Sequence, residues 1–152
     1  MNITIRKARP DDAGELTDLI MRSKSSNGYD EAFMAACRDE LTVTGERLTG
    51  QEYWVAETDV LCGCACLLVD ENDTSGEVSA FFVDPGWQGK GVGRLLWQKL
   101  LERAKAQALS QLHLDSDPFA VPFYQAMGFV VTGQTPSGSI PGRFLPYMTL
   151  SL

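Results

Sequence analysis

The chain has 152 residues, with 44% hydrophobic and 22% charged side chains, the balance of an ordinary globular domain with a core of useful size. A net charge of −7 speaks against a nucleic-acid surface, and no run approaches the ~20 apolar residues that cross a bilayer. The four cysteines, Cys37, Cys62, Cys64 and Cys66, lack zinc-ligand spacing, and one histidine leaves no second ligand pair, so no metal is expected.

In chain order, Asn2–Ala8 alternates Ile3 and Ile5 with polar residues, a strand signal. Pro10 suits a first helical position, with Asp11, Asp12 and Glu15 near the positive end of a helix that stops before Ser23. A second helix is expected over Asp30–Leu41, then a turn region over Gly45–Gln51. Tyr53–Glu57 and Val60–Val69 read as strands joined by Thr58-Asp59. In the second, Cys62, Cys64 and Cys66 alternate, so a regular strand places all three on one side as small buried hydrophobes in a reducing compartment.

The most informative stretch is Glu77–Arg94, EVSAFFVDPGWQGKGVGR. A β-branched and aromatic run, Val78–Val83, ends at Asp84-Pro85-Gly86. Gly89, Gly91 and Gly93 follow at alternate positions beside Lys90 and Arg94, and a helical pattern running to about Ala108 begins at once. Strand, glycine loop and helix N-terminus in that order form an anion cradle, because free N–H groups and the helix dipole both favour negative charge. The spacing is neither the Walker A pattern nor GxGxxG. Beyond it, Gln111–Asp115 reads as a strand, Asp117-Pro118 as a helix start, Gly128 as the stop near Met127, and Phe129–Thr132 and Phe144–Leu150 as two more strands around a Pro/Gly/Ser loop, Gly133–Arg143. The whole reads as a single domain, 1–152, of mixed α/β class.

Gln88-x-x-Gly91-x-Gly93 after a strand, with Asp117-x-x-Ala120-x-x-Phe123-Tyr124-x-x-x-Gly128-Phe129 downstream, resembles the two motifs of the GNAT superfamily of N-acetyltransferases. The resemblance implies a mostly antiparallel, twisted sheet of about seven strands flanked by about four helices. It also implies acetyl-CoA as co-substrate and direct attack by a primary amine in a ternary complex. A small-molecule amine is the expected acceptor. A protein N-terminus or lysine, and a non-catalytic acyl-CoA-binding sensor of the same fold, are the alternatives. A cytoplasmic protein, acting as a homodimer as many relatives do, is the accompanying expectation.

Carried over residue by residue, the likeness assigns the pyrophosphate to Gln88, Gly89, Lys90, Gly91, Val92, Gly93 and Arg94, and the pantetheine arm to Phe81, Phe82 and Val83. Asp117 stands where many relatives have a cofactor-contacting Asn, and keeps the acceptors while losing the amide donors. Tyr124 holds the position of the phenol that, in similar enzymes, donates a proton to the departing sulfur. Glu77 is the candidate base, on the alternation face of Ser79 and Phe81, with Asp84 and Glu57 as rivals; His113 reads as a surface residue. Acceptor selection falls to Tyr29 and to Arg143, which either grips a substrate carboxylate or pins its own loop.

Overall fold

A computed structural model describes residues 2–152. Seven strands form one sheet: β1 (Thr4–Lys7), β2 (Glu52–Glu57), β3 (Leu61–Val69), β4 (Ser75–Val83), β5 (Gln111–Asp115), β6 (Val130–Pro136) and β7 (Phe144–Ser151). Their order is β1-β2-β3-β4-β5-β7-β6, antiparallel throughout except for the β4–β5 pair. Five helices accompany them: α1 (Ala13–Ser25), α2 (Glu31–Leu41), α3 (Gly45–Gly50), α4 (Val92–Ala106) and α5 (Val121–Ala126). None of the described helices is long and apolar enough to cross a membrane.

The sheet divides the core into two layers. On one face Val92, Leu96, Leu100 and Ala104 of α4 pack with Phe129, Leu112 and Leu114; on the other, Leu16, Leu19 and Ile20 of α1 pack with Val55, Cys64 and Cys66. Both layers hold completely buried side chains, and this burial (about 25 cal/mol per Å² of apolar surface) is the main force holding helices to sheet. Gly63 marks how closely α4 lies on β3, since a Cβ there would come within 2.8 Å of Val92 and 2.9 Å of Leu96.

Several expectations change. Gly45–Gly50 is helical rather than a turn, because Thr44 accepts the Arg47 N–H as an N-cap and Leu48 is buried beneath it. Strand β6 continues to Pro136, shortening the expected loop, because its outer residues extend the ladder with Leu145 and Phe144. Helix α1 runs on through Ser23 to Ser25, and α4 stops at Ala106.

The cysteines do not share a side. Cys62 is an extra residue in β3 where the register against β2 steps from Ala56↔Gly63 to Glu57↔Leu61. The bulge turns Cys62 toward α4 while Cys64 and Cys66 face α1. All four thiols are free and buried.

A second bulge matters more for function. Cys66 pairs with Ala80 and Leu67 with Val78, which leaves Ser79 as the extra residue in β4. The alternation is broken there, so Glu77 shares the face of its partner Leu68 whereas Phe81 packs in the α4 layer. Glu77 and Phe81 therefore lie on opposite faces, contrary to the simple period-2 reading.

Candidate active site

Strands β4 and β5 pair at only three rungs, Ser75↔Gln111, Gly76↔Leu112 and Glu77↔His113, and then part. A cavity of about 620 Å³ opens beyond the last rung, within the range of small-molecule and cofactor sites. Its walls are β4 from Val78 to Val83, the loop and first turn of α4, Asp115 at the end of β5, Asp117 just after it, Phe123 and Tyr124 of α5, and polar residues of α1 and α2.

At the loop end, Asp84 caps a short 3-10 turn, Pro85–Trp87, by accepting the Gly86 N–H at 3.0 Å. Arg22 of α1 grips the same carboxylate at 2.6 Å and keeps it in the ionised form. Gly89 and Gly91 have φ of 77° and 87°, a left-handed backbone that favours glycine, and open space lies where a Cβ would stand. The first bond of α4 runs from the Leu95 N–H to the Gly91 carbonyl, so the N–H groups of Val92, Gly93 and Arg94 have no partner within the helix. These features fit an anionic diphosphate. Gly93 does a different job: a Cβ there would meet the Phe123 ring at 3.3 Å, so its bareness lets α5 dock on the start of α4. Gln88, Gly89, Gly91, Val92, Gly93 and Arg94 all line the cavity; Lys90 is exposed beside it.

Phe81, Phe82 and Val83 form the middle wall, and Ser79, the bulged residue, is exposed at it. Opposite stands Tyr124, 8% exposed, with its ring edge-on to Phe81, Phe123 and Phe129. Burial first, and the negative charge of Asp117 second, push its phenol well above the ordinary value. A thiolate of pKa near 8.5 would not win the proton outright from such a phenol, so Tyr124 is suited to donate a hydrogen bond to a leaving sulfur.

Asp117 is a hub. It accepts from Lys24 Nζ at 2.5 Å, from the Tyr29 hydroxyl at 2.9 Å and from the Phe119 N–H at 2.9 Å, with Arg143 Nη2 3.6 Å away. Burial opposes its charge, but Lys24 and the Phe119 N–H hold the carboxyl below the usual range. Arg143 also donates to Tyr29 at 2.8 Å and lies over the Phe33 ring at 4.9 Å. Tyr29 and Arg143 thus come together on one carboxylate, just behind the cavity wall rather than on it. Lys24, which lines the cavity, was invisible to spacing arguments because its partner lies far away in the chain.

Of the expected base candidates, Asp84 is taken by Arg22, and Glu57 is bound by Arg6 at 3.1 Å. Glu77 carries no such cation. It stands on the last β4–β5 rung, behind the wall, and burial leads in pushing its carboxyl above the usual value, with Asp115 and Asp70 adding to the shift. Asp115, two residues past His113, does line the cavity. Its signal in the sequence was its place at the end of the strand that splits from β4.

A profile of the acetyltransferase (GNAT) domain matches residues 20–139. The chain is 30% identical, over all of its own length and 98% of the other, to the peptidyl-lysine N-acetyltransferase YjaB of Salmonella typhimurium. It is 31% identical to the protein of the same name from Escherichia coli, covering 99% of this chain and 97% of that one. Among solved structures, the PaiA N-acetyltransferase of Thermoplasma acidophilum, in complex with coenzyme A, superposes with a TM-score of 0.82 at 20% identity over the full length of both chains. A GCN5-related N-acetyltransferase from Rhodopseudomonas palustris gives 0.81 at 24% identity, over 100% of this chain and 97% of that one. With its split sheet, glycine loop and buried phenol, the chain belongs to the GNAT acetyltransferase family.

Proposed function

We propose that this acetyl-CoA-dependent N-acetyltransferase acetylates a primary amine carried on a lysine side chain. The observation that carries the reading is the cleft beyond the Glu77↔His113 rung, with an anion cradle at one end and carboxylates at its apex. The free N–H groups at the start of α4, with Gly89 and Gly91, would hold the diphosphate, and Arg94 adds charge there. The β4 backbone from Phe81 to Val83 would align the pantetheine arm. Acetyl-CoA, once bound, supplies the acyl group as a thioester. Tyr124 stabilises the departing sulfur, and Glu77 takes the amine proton through water in the cleft.

Lysine is favoured as the acceptor because both relatives matched over nearly their whole length bear a peptidyl-lysine name. Glu40 and Asp115 on the cavity wall suit a slender cationic chain. A free small-molecule amine is the second reading. It is supported by the contact that ties down Glu40 on the cavity wall, where its carboxylate accepts from the Ser139 hydroxyl. Buried, unpaired thiols suit a reducing compartment such as the cytoplasm.

Thiol release from acetyl-CoA, measured with blocked lysine peptides against a panel of free polyamines, amino sugars and amino acids, tests the reading. Turnover with the peptides supports it. Turnover confined to the free amines overturns the lysine assignment, and coenzyme A binding without any turnover marks a binding module instead.

A further inference from the structure

Among the described residues three cations line the cavity, and they are not equivalent. Lys24 is held by Asp117 at 2.5 Å, and Arg94 lies exposed at the start of α4, beside the glycine loop. Arg47 of α3 stands apart from both and forms no ion pair among the described residues. Its position is fixed all the same. Leu48 beside it is buried, Thr44 accepts its backbone N–H, and its Nη1 donates to the Thr42 carbonyl at 3.1 Å. That bond uses one of the five donors of a rigid fork that suits carboxylates.

Next to Arg47 on the wall is Tyr53, only 4% exposed. Burial first, and then Cys66 and Cys64, push its phenol up to about 12 against the opposing charge of Arg47, so the hydroxyl keeps its proton at neutral pH. It donates to none of the described residues. No fully buried side-chain oxygen or nitrogen among them lacks a partner, so this hydroxyl opens on the cavity. A fixed guanidinium and a protonated hydroxyl thus stand side by side, with donors to spare and no anion between them.

The pair also has a definite place in the sheet. Tyr53 pairs with Cys66, and Cys66 with Ala80, next to the bulged Ser79 on the cavity wall. Tyr53, Cys66 and Ala80 share the α1 face, and β2 lies two strand spacings, about 10 Å, from β4.

We propose that Arg47 and Tyr53 form a carboxylate-binding subsite for the acceptor, so that the acetylated amine belongs to a molecule that also bears a carboxylate. The proposal rests on the reading of this cavity as the site of acetyl transfer. A carboxylate held there stands several bonds from an amine presented to β4, which matches lysine better than a simple α-amino acid. Two sources supply that chemistry: an acidic residue flanking the lysine of a peptide, and the free carboxylate of lysine itself.

The first measurement needs no turnover. Nitrogen-15 NMR of the full-length protein, in the presence of coenzyme A, follows the Arg47 Nε–H signal, assigned with Arg47→Lys. The titrants are Nα-acetyl-lysine and its neutral amide. The acid moves the signal and the amide leaves it in place. Equal responses to the two, or none to either, overturn the subsite.

The second measurement compares kcat/KM within matched pairs: Nα-acetyl-lysine against its amide, and blocked peptides with aspartate against asparagine beside the lysine. In at least one pair the acid is preferred by roughly ten- to a hundredfold, mainly through KM. The ratio falls toward one in Arg47→Gln and by less in Tyr53→Phe. Preference for the aspartate peptide assigns the carboxylate to a flanking residue, and preference confined to Nα-acetyl-lysine assigns it to a free one. A ratio near one for both pairs, or one that Arg47→Gln leaves intact, overturns the subsite. An acid-specific Arg47 shift without any turnover supports the subsite and overturns the lysine assignment instead.

Discussion

The Lys24 ammonium lies 2.5 Å from the Asp117 carboxylate, and both side chains are largely withdrawn from water, at 12% and 14% exposure. The pair ties the end of α1 to the start of the turn that leads into α5. Removing one partner strands the other's charge, and such losses run at about 3 kcal/mol or more. Asp117→Ala should therefore lower the urea midpoint markedly at neutral pH, and Asp117→Asn less so, because the N-cap to Phe119 survives. The carboxyl is held below its usual value, so the stabilisation is complete above about pH 4, the unfolded value, and is lost as pH falls through the folded one. The stability gap between wild type and Asp117→Asn should close only in acid.

Two glycines should fail in different ways. Gly63→Ala forces a methyl into Val92, Leu96 and the Phe82 carbonyl, the last at 3.1 Å, and should destabilise the fold by roughly 1–3 kcal/mol. Gly91→Ala meets no atom but must hold φ near 87°, at a cost of about 1–2 kcal/mol, or reshape the loop. Calorimetric titration with coenzyme A should show weakened binding for Gly91→Ala. Gly63→Ala, assayed well below its melting temperature, should bind nearly normally.

Tyr124→Phe keeps the ring packing against Phe81 and Phe129 and deletes the hydroxyl. Turnover should fall by roughly ten- to a hundredfold, with coenzyme A affinity kept, because the lost hydrogen bond serves a sulfur whose charge develops in the reaction. Equal loss in binding and turnover would assign the phenol to uniform binding instead.

The β3 thiols should resist alkylation. Burial pushes Cys64 up to about 12 and Cys66 up to about 11, so at pH 8 the thiolate fraction is roughly a thousandth or less. Iodoacetamide should leave both unmodified in the native protein, by mass spectrometry, and label them once urea unfolds it.

Much of this was legible in the residues. Asp117 and Gly128 act at the helix ends their types suggested, because capping is local chemistry. The glycine loop was legible for the same reason. What escaped was set by contacts between distant segments. Thr44 and Leu48 make a helix of Gly45–Gly50 only because Leu48 finds a buried seat. The bulges at Cys62 and Ser79 are properties of a strand pair, and no single strand announces them. That is why Glu77 was placed on the wrong face relative to Phe81. Lys24, Asp115 and the Asp70–His113 contact became visible only when the topology joined them. Their spacing carries no period.

The central claim is that the bare amides at the start of α4 hold the diphosphate of coenzyme A and lay its sulfur beside Tyr124. Amide NMR during titration with coenzyme A tests it most directly. The account predicts large shifts at Gly89, Gly91 and Val92–Arg94, and shifts at Phe81–Val83 and Tyr124 at the same ligand concentrations. Saturable binding that leaves the Gly89–Arg94 amides unmoved, or no binding at all, would contradict it.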